Sequence, residues 1–142
     1  MTLQLTRIEL WRGPYKAVVD DLRRKPFAWG ENDCGPALVG RMVEALTGVD
    51  IAAPYRGRYD SAASAYRLMK EDGFDDLADL VDTILPARPR AEAIIGDIAA
   101  VPVDSLFRHA LGVVNGERIF VLTEAGLGTV DLLDADQIFA VG

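Results

Sequence analysis

The segment Pro86-Ala87-Arg88-Pro89-Arg90 constrains this chain more than any other, because two closely spaced prolines can neither continue a helix nor sit inside a central strand. It divides the sequence by texture. Upstream, apolar residues recur every three to four positions; downstream, β-branched residues gather in short runs between tight turns. Helices first and strands second predict an α+β domain, helical over about 1–85 and a sheet over about 94–142. With 142 residues, 50% of them hydrophobic, the chain can bury one core and is too short for two ordinary domains.

Three helices are legible upstream. Pro14 suits a helix start, and Tyr15, Val18, Val19 and Leu22 keep helical spacing until Pro26, which predicts a helix over 14–24. Leu38, Val39, Met42, Val43 and Leu46 predict a second, stopped by Gly48. Ser61 to Asp72 predicts a third, closed by Gly73. The acidic stretch from Asp72 to Asp82 is amphipathic, with Phe74, Leu77, Leu80, Val81 and Ile84 inward, so its carboxylates read as a solvated face and not as a calcium site. Strands are predicted at Ile98–Val101, Leu111–Val114, Arg118–Leu122, Thr129–Leu132 and Ile138–Val141. Asn115-Gly116 predicts a two-residue hairpin turn that places Val114 opposite Glu117, Gly112 opposite Ile119 and His109 opposite Leu122.

Charge and composition narrow the chemistry. Fifteen basic residues against 22 acidic ones give a net charge of −7, which argues against gripping nucleic-acid backbone or an anionic membrane surface. No apolar run approaches the roughly 20 residues of a membrane span. Met1 to Arg12 lacks the layout of a secretory signal, so a cytoplasmic site of synthesis and residence is expected, with incorporation into a particle left open. Gly126-Leu127-Gly128 lies between predicted strands without the lysine or helix of a phosphate loop, so no nucleotide cofactor is expected. One cysteine, Cys34, and one histidine, His109, exclude an internal disulfide and a cysteine-rich zinc site, and no metal is expected.

Cys34 follows a turn-rich loop and opens the second predicted helix, where unpaired amides favour thiolate over thiol. The sulfur then shares a helical face with Leu38 and Met42 and points towards whatever covers that stripe. Two readings stand side by side, a nucleophile and a small buried apolar residue. Asp33 reads as a helix cap or as a chemical group, and Trp29 and Trp11 as packing or as ligand platforms. Tyr55 and Tyr59 flank Gly57 in a loop that can wall a pocket. Arg56, Arg58 and Arg67 can meet a substrate carboxylate or pair with Asp60, Glu71 and Asp72 nearby.

Pro26-Phe27-Ala28-Trp29-Gly30 followed by Asn32-Asp33-Cys34 resembles the nucleophile segment of the NlpC-type cell-wall cysteine peptidases. Gly96-Asp97-Ile98 is similar to the Gly-Asp opening of that family's sheet, and His109-Ala110-Leu111-Gly112-Val113-Val114 to its histidine strand. Tyr55-Arg56-Gly57-Arg58-Tyr59 and the stretch Trp11 to Asp60 look most like the branch found in tailed phages, prophages and gene-transfer particles. The resemblance implies a papain-like fold, Cys34 as nucleophile and His109 as base; Trp29, Asp33, Tyr55 and Arg56 are the expected substrate contacts. It implies acyl transfer on a peptidoglycan stem peptide, with phage tail proteins as partners.

The sequence departs from that pattern in three places. His109 stands three residues before Gly112, where the family has two, and side chains alternate along a strand. If Gly112 is the anchor, Ala110 takes the catalytic position and His109 points away; a bulge near Leu111, or a shifted alignment, would return it. The predicted hairpin offers His109 no polar partner, and Phe27 stands where the family often has a tyrosine hydroxyl. Two function classes follow: a cysteine amidase or peptidase, and a phage-tail or gene-transfer assembly module that keeps the fold without the chemistry.

Overall fold

The computed structural model describes residues 2–142; Met1, the first residue of the segment read for an export signal, lies outside the described residues. Helix α1 spans Arg12–Arg24, two residues longer at its start than the proline suggested, and buries Val18, Val19 and Leu22. A π-wound turn over Cys34–Gly40 runs into α2, Arg41–Thr47, where Met42, Val43 and Leu46 are fully buried. Helix α3, Ala62–Glu71, begins with a reciprocal cap: the Ser64 amide donates to Ser61 Oγ and the Ser61 amide to Ser64 Oγ, each at 3.1 Å. The acidic stretch folds into α4, Leu77–Asp82, capped by the Asp76 carboxylate on the Asp79 amide at 2.8 Å.

Six strands follow: β1 Ala87–Arg88, β2 Ile98–Pro102, β3 His109–Asn115, β4 Arg118–Thr123, β5 Gly126–Asp131 and β6 Gln137–Phe139. They form one antiparallel sheet in the order β1-β6-β2-β3-β4-β5. An α+β architecture with helices N-terminal and sheet C-terminal is therefore what the sequence predicts and what the chain adopts. The proline-rich break also carries a strand. Ala87 and Arg88 pair with Phe139 and Ile138 at the sheet edge, the one place where flanking prolines cost no ladder bonds. Gly126-Leu127-Gly128, read as a connection, belongs to β5, because its backbone continues the ladder opposite Val121 to Thr123.

The hairpin forms one residue later than predicted. Asn115 pairs with Arg118, leaving Gly116 and Glu117 as the turn, and Gly116 at φ 70° supplies the positive φ that a first central position of this kind requires. Gly112 thus faces Val121, not Ile119. The shift moves each partner by two positions, so which residues face the core is unchanged.

The helices pack on one face of the sheet, against Ile98, Ala100, Leu111, Val113, Phe120 and Leu122. Ala99, Val101, Val114, Ile119, Val121 and Ile138 form a smaller cluster on the other. Among the described residues no helix is long and apolar enough to cross a membrane.

Candidate functional site around Cys34 and His109

The segment before Cys34 is locked by its own side chains. Ala28 and Asn32 exchange backbone hydrogen bonds at 2.8 and 3.0 Å, and the Asn32 side-chain amide donates to the carbonyls of Lys25 (3.2 Å) and Pro26 (2.9 Å). Gly30 sits at φ 82°, and a Cβ there would lie 2.2 Å from the Tyr59 carbonyl oxygen, so only glycine fits the turn. Asp33, 2% exposed, caps no helix, contrary to the capping reading. Its Oδ2 accepts from the Gly30 amide at 2.9 Å and from the Tyr59 hydroxyl at 2.5 Å, while Oδ1 is buried without a partner among the described residues. Tyr59 thereby brings a hydroxyl beside Asp33 from another loop. Burial and the adjoining Asp33 carboxylate both push the Tyr59 phenol well above its ordinary range.

Cys34 opens a turn whose first ring is closed by the Leu38 amide on the Asp33 carbonyl, five residues back, at 3.0 Å. The stripe of Cys34, Leu38 and Met42 holds, with Leu38 and Met42 fully buried and Cys34 half-buried. The expected thiolate preference does not. Burial pushes the Cys34 thiol up to about 11, helped by the negative charge of Asp33, and the Leu111 and Cys34 amides offset this only in part. Desolvation of an anion outweighs the partial charge of a short, wide first turn.

His109 begins β3, and the unbroken β2–β3 register from Ile98↔Val113 to Pro102↔His109 contains no bulge. Alternation therefore places His109 on the face of Leu111 and Val113, which is the helix face, while Gly112 and Val114 turn to the other. Spacing to Gly112 was a false anchor. The histidine is 9% exposed, with Nε2 at 3.0 and 3.1 Å from the two carboxylate oxygens of Asp136. Its Nδ1 is buried and has no hydrogen-bond partner among the described residues, Cys34 included; Asp76 Oδ1 lies 3.8 Å away. Just before it Arg108 adopts φ 63°, a left-handed conformation rare for a residue with a side chain, and closes the Val103–Arg108 loop by accepting from the Val103 amide at 3.0 Å.

Cys34 and His109 line one cavity of about 460 Å³. The Leu111 amide acts on Cys34, and Leu111 lies two residues from His109 on the same face of β3. Trp29 stacks on Phe107 at 5.8 Å between ring centroids and meets Phe27 edge-on at 5.1 Å, so it walls the cavity and is itself held by packing. Tyr55 and Tyr59 also line it. Arg56 does not; it pairs with Asp50, a partner other than the acids expected, and Arg58 donates to the Pro54 carbonyl at 3.0 Å. Trp11 lies apart, between the guanidinium groups of Arg7 and Arg12. Gly96-Asp97 builds a separate anchor, with Asp97 fully buried among Arg7, Arg88 and the amides of Ile94 and Val141.

A family match covers residues 6–141, from before α1 to beyond β6, and so takes in every residue just described. The chain belongs to DUF6950, a domain of unknown function. No curated protein matches the chain. In this DUF6950 domain the residue that sequence reasoning missed is Asp136. A polar partner for His109 was sought on the neighbouring hairpin strand; it comes instead from the residue before β6, which lies across β2 because β6 inserts between β1 and β2. The Asp136 amide donating to the Ala100 carbonyl at 3.1 Å fixes it there. Phe107 and Asp76 were likewise unmarked in the sequence, since a loop and a helix cap acquire their place beside His109 only in the fold. Among the described residues no cluster of His, Cys, Asp and Glu could hold a metal ion.

Proposed function

We propose that the chain is a papain-like cysteine hydrolase, an amidase or peptidase in which Cys34 is the nucleophile, His109 the acid–base and Asp136 the residue that orients the imidazole. One observation carries this reading. His109 offers Nε2 to a carboxylate and keeps Nδ1 buried and unpartnered in the cavity that Cys34 lines. A histidine oriented through one nitrogen and free at the other is what proton transfer from a thiol needs. In the reaction Cys34 Sγ bonds to the carbonyl carbon, its proton passes to Nδ1, and the C–N bond breaks as that proton moves to the leaving amine. Water then cleaves the thioester, with His109 taking and returning its proton. Since the resting thiol is held near 11, it is stored neutral and deprotonated during attack.

The resemblance to NlpC-type peptidases directs this activity to a peptidoglycan stem peptide within a phage-like particle, and wall fragments are its first substrates to try. A second reading, an assembly module with the fold and no chemistry, is favoured by the raised thiol and by the lack of a Cys34–His109 hydrogen bond. The pH profile of Cys34 alkylation by iodoacetamide separates the two. An uncoupled sulfur titrates near 11; an inflection well below that, which moves up in His109→Ala and in Asp136→Ala, supports the hydrolase. A profile indifferent to both substitutions overturns it in favour of the assembly module.

A further inference from the structure

We infer that the cavity beside Cys34 receives an apolar acyl chain, so that the bond presented to the sulfur is the amide or ester of a fatty acyl group. The inference rests on the hydrolase reading and names a substrate class other than the stem peptide that the resemblance implies. A space of about 460 Å³ is within the range of small-molecule sites. Its walls are hydrocarbon: Leu68 and Met69 from α3, Leu77 and Leu80 from α4, and Val39 from the turn that carries Cys34. At the rim Val103 and Leu106 keep 42% and 63% of their surface exposed, an apolar approach to an apolar interior.

Charge selects in the same direction. Among the described residues no lysine or arginine lines the cavity, Arg56 being held by Asp50, whereas Asp33 and Glu124 do line it and Asp76 and Asp136 flank His109. A stem peptide rich in carboxylates would lose its hydration here with no counter-charge to replace it. An alkyl chain loses nothing and gains roughly fourfold in affinity per buried methylene, the equivalent of about 0.8 kcal/mol. Cys34 Sγ bonds to the acyl carbon, the amine or alcohol departs with the thiol proton delivered by His109, and water releases the fatty acid and restores the thiol.

The test uses p-nitrophenyl acetate, butanoate and octanoate, all below their aggregation limits, with p-nitrophenolate release and the mass of acylated Cys34 as readouts, beside muropeptide cleavage. At least a tenfold rise in kcat/KM from butanoate to octanoate is expected. Ala65→Trp, a half-buried wall position on α3, should lower the octanoate-to-acetate ratio by a similar factor, and the more conservative Ala65→Leu by less. Cys34 acylated with no preference for the longer chain, or muropeptides cleaved more efficiently than octanoate, overturns the acyl-chain assignment and leaves the hydrolase standing. No acylation of Cys34 by any of the esters together with no muropeptide cleavage overturns both.

Discussion

Two buried aspartates, Asp97 and Asp33, show how the same side chain serves two different purposes in this molecule. Asp97 is fully buried and fully paired: Arg88 meets Oδ2 at 2.8 Å with the Ile94 amide at 3.0 Å, and Arg7 and the Val141 amide meet Oδ1 at 3.5 and 3.3 Å. It ties the N-terminal segment, β1 and the C-terminus to the sheet. Asp33 is nearly as buried yet has only two neutral donors and one oxygen without a partner, and His109 on the same cavity also has an unpartnered nitrogen. Satisfied polar groups mark the anchor, and unsatisfied ones mark the site, because a buried atom without a partner is costly unless something else uses it.

The largest loss of stability is expected at the anchor. Asp97→Ala leaves two arginines facing a vacant buried position, and urea unfolding should show a loss on the order of 3–5 kcal/mol. A loss below about 1 kcal/mol would mean the arginines reach water and Asp97 anchors nothing. Tyr59→Phe takes the hydroxyl from Asp33 and should cost less, about 1–3 kcal/mol by the same measurement, while slowing Cys34 chemistry. Asp136→Asn touches a side chain that is 48% exposed, so stability should change by less than about 1 kcal/mol. Its effect belongs in the alkylation profile of Cys34, and an unchanged profile would reduce Asp136 to a surface partner of His109.

Cys34→Ala sharpens the contrast from the other side. It should abolish alkylation and any hydrolysis while leaving the unfolding midpoint little changed, since it removes one half-buried atom. The smallest effect is on pH dependence. In the unfolded chain the thiol ionises at about 8.5; in the fold it is held up to about 11. The unfolded state thus releases this proton first, so the stability tied to Cys34 is present below about 8.5 and is lost as pH rises towards 11. Tyr59, pushed in the same direction, extends the loss to more alkaline pH. Stability against pH for Cys34→Ala should be flatter between those two values, and parallel curves would show that the thiol is not desolvated.

Local chemistry was legible from the start. Helical spacing gave α1 and α3 to within two residues, and Asn32, Gly30 and Asp33 occupy a loop whose bonds join near neighbours. Face assignment survived even where register did not, since a hairpin displaced by one turn residue moves each partner by two and preserves alternation. Motif spacing misled at His109, because distance to a glycine says nothing about a strand's face when that glycine turns out to face the far cluster.

The α+β order, the lone cysteine and histidine, the apolar faces and the turn-rich character of the loop before Cys34 are read from residues within a few positions of one another. Only the tertiary structure decided the rest. Asp136 reaches His109 because β6 inserts beside β2, Tyr59 reaches Asp33 from 26 residues away, and burial raises a thiol that the chain position alone would have lowered. Pairings across the sheet and desolvation are sums over the whole packed molecule, and no window of sequence contains them.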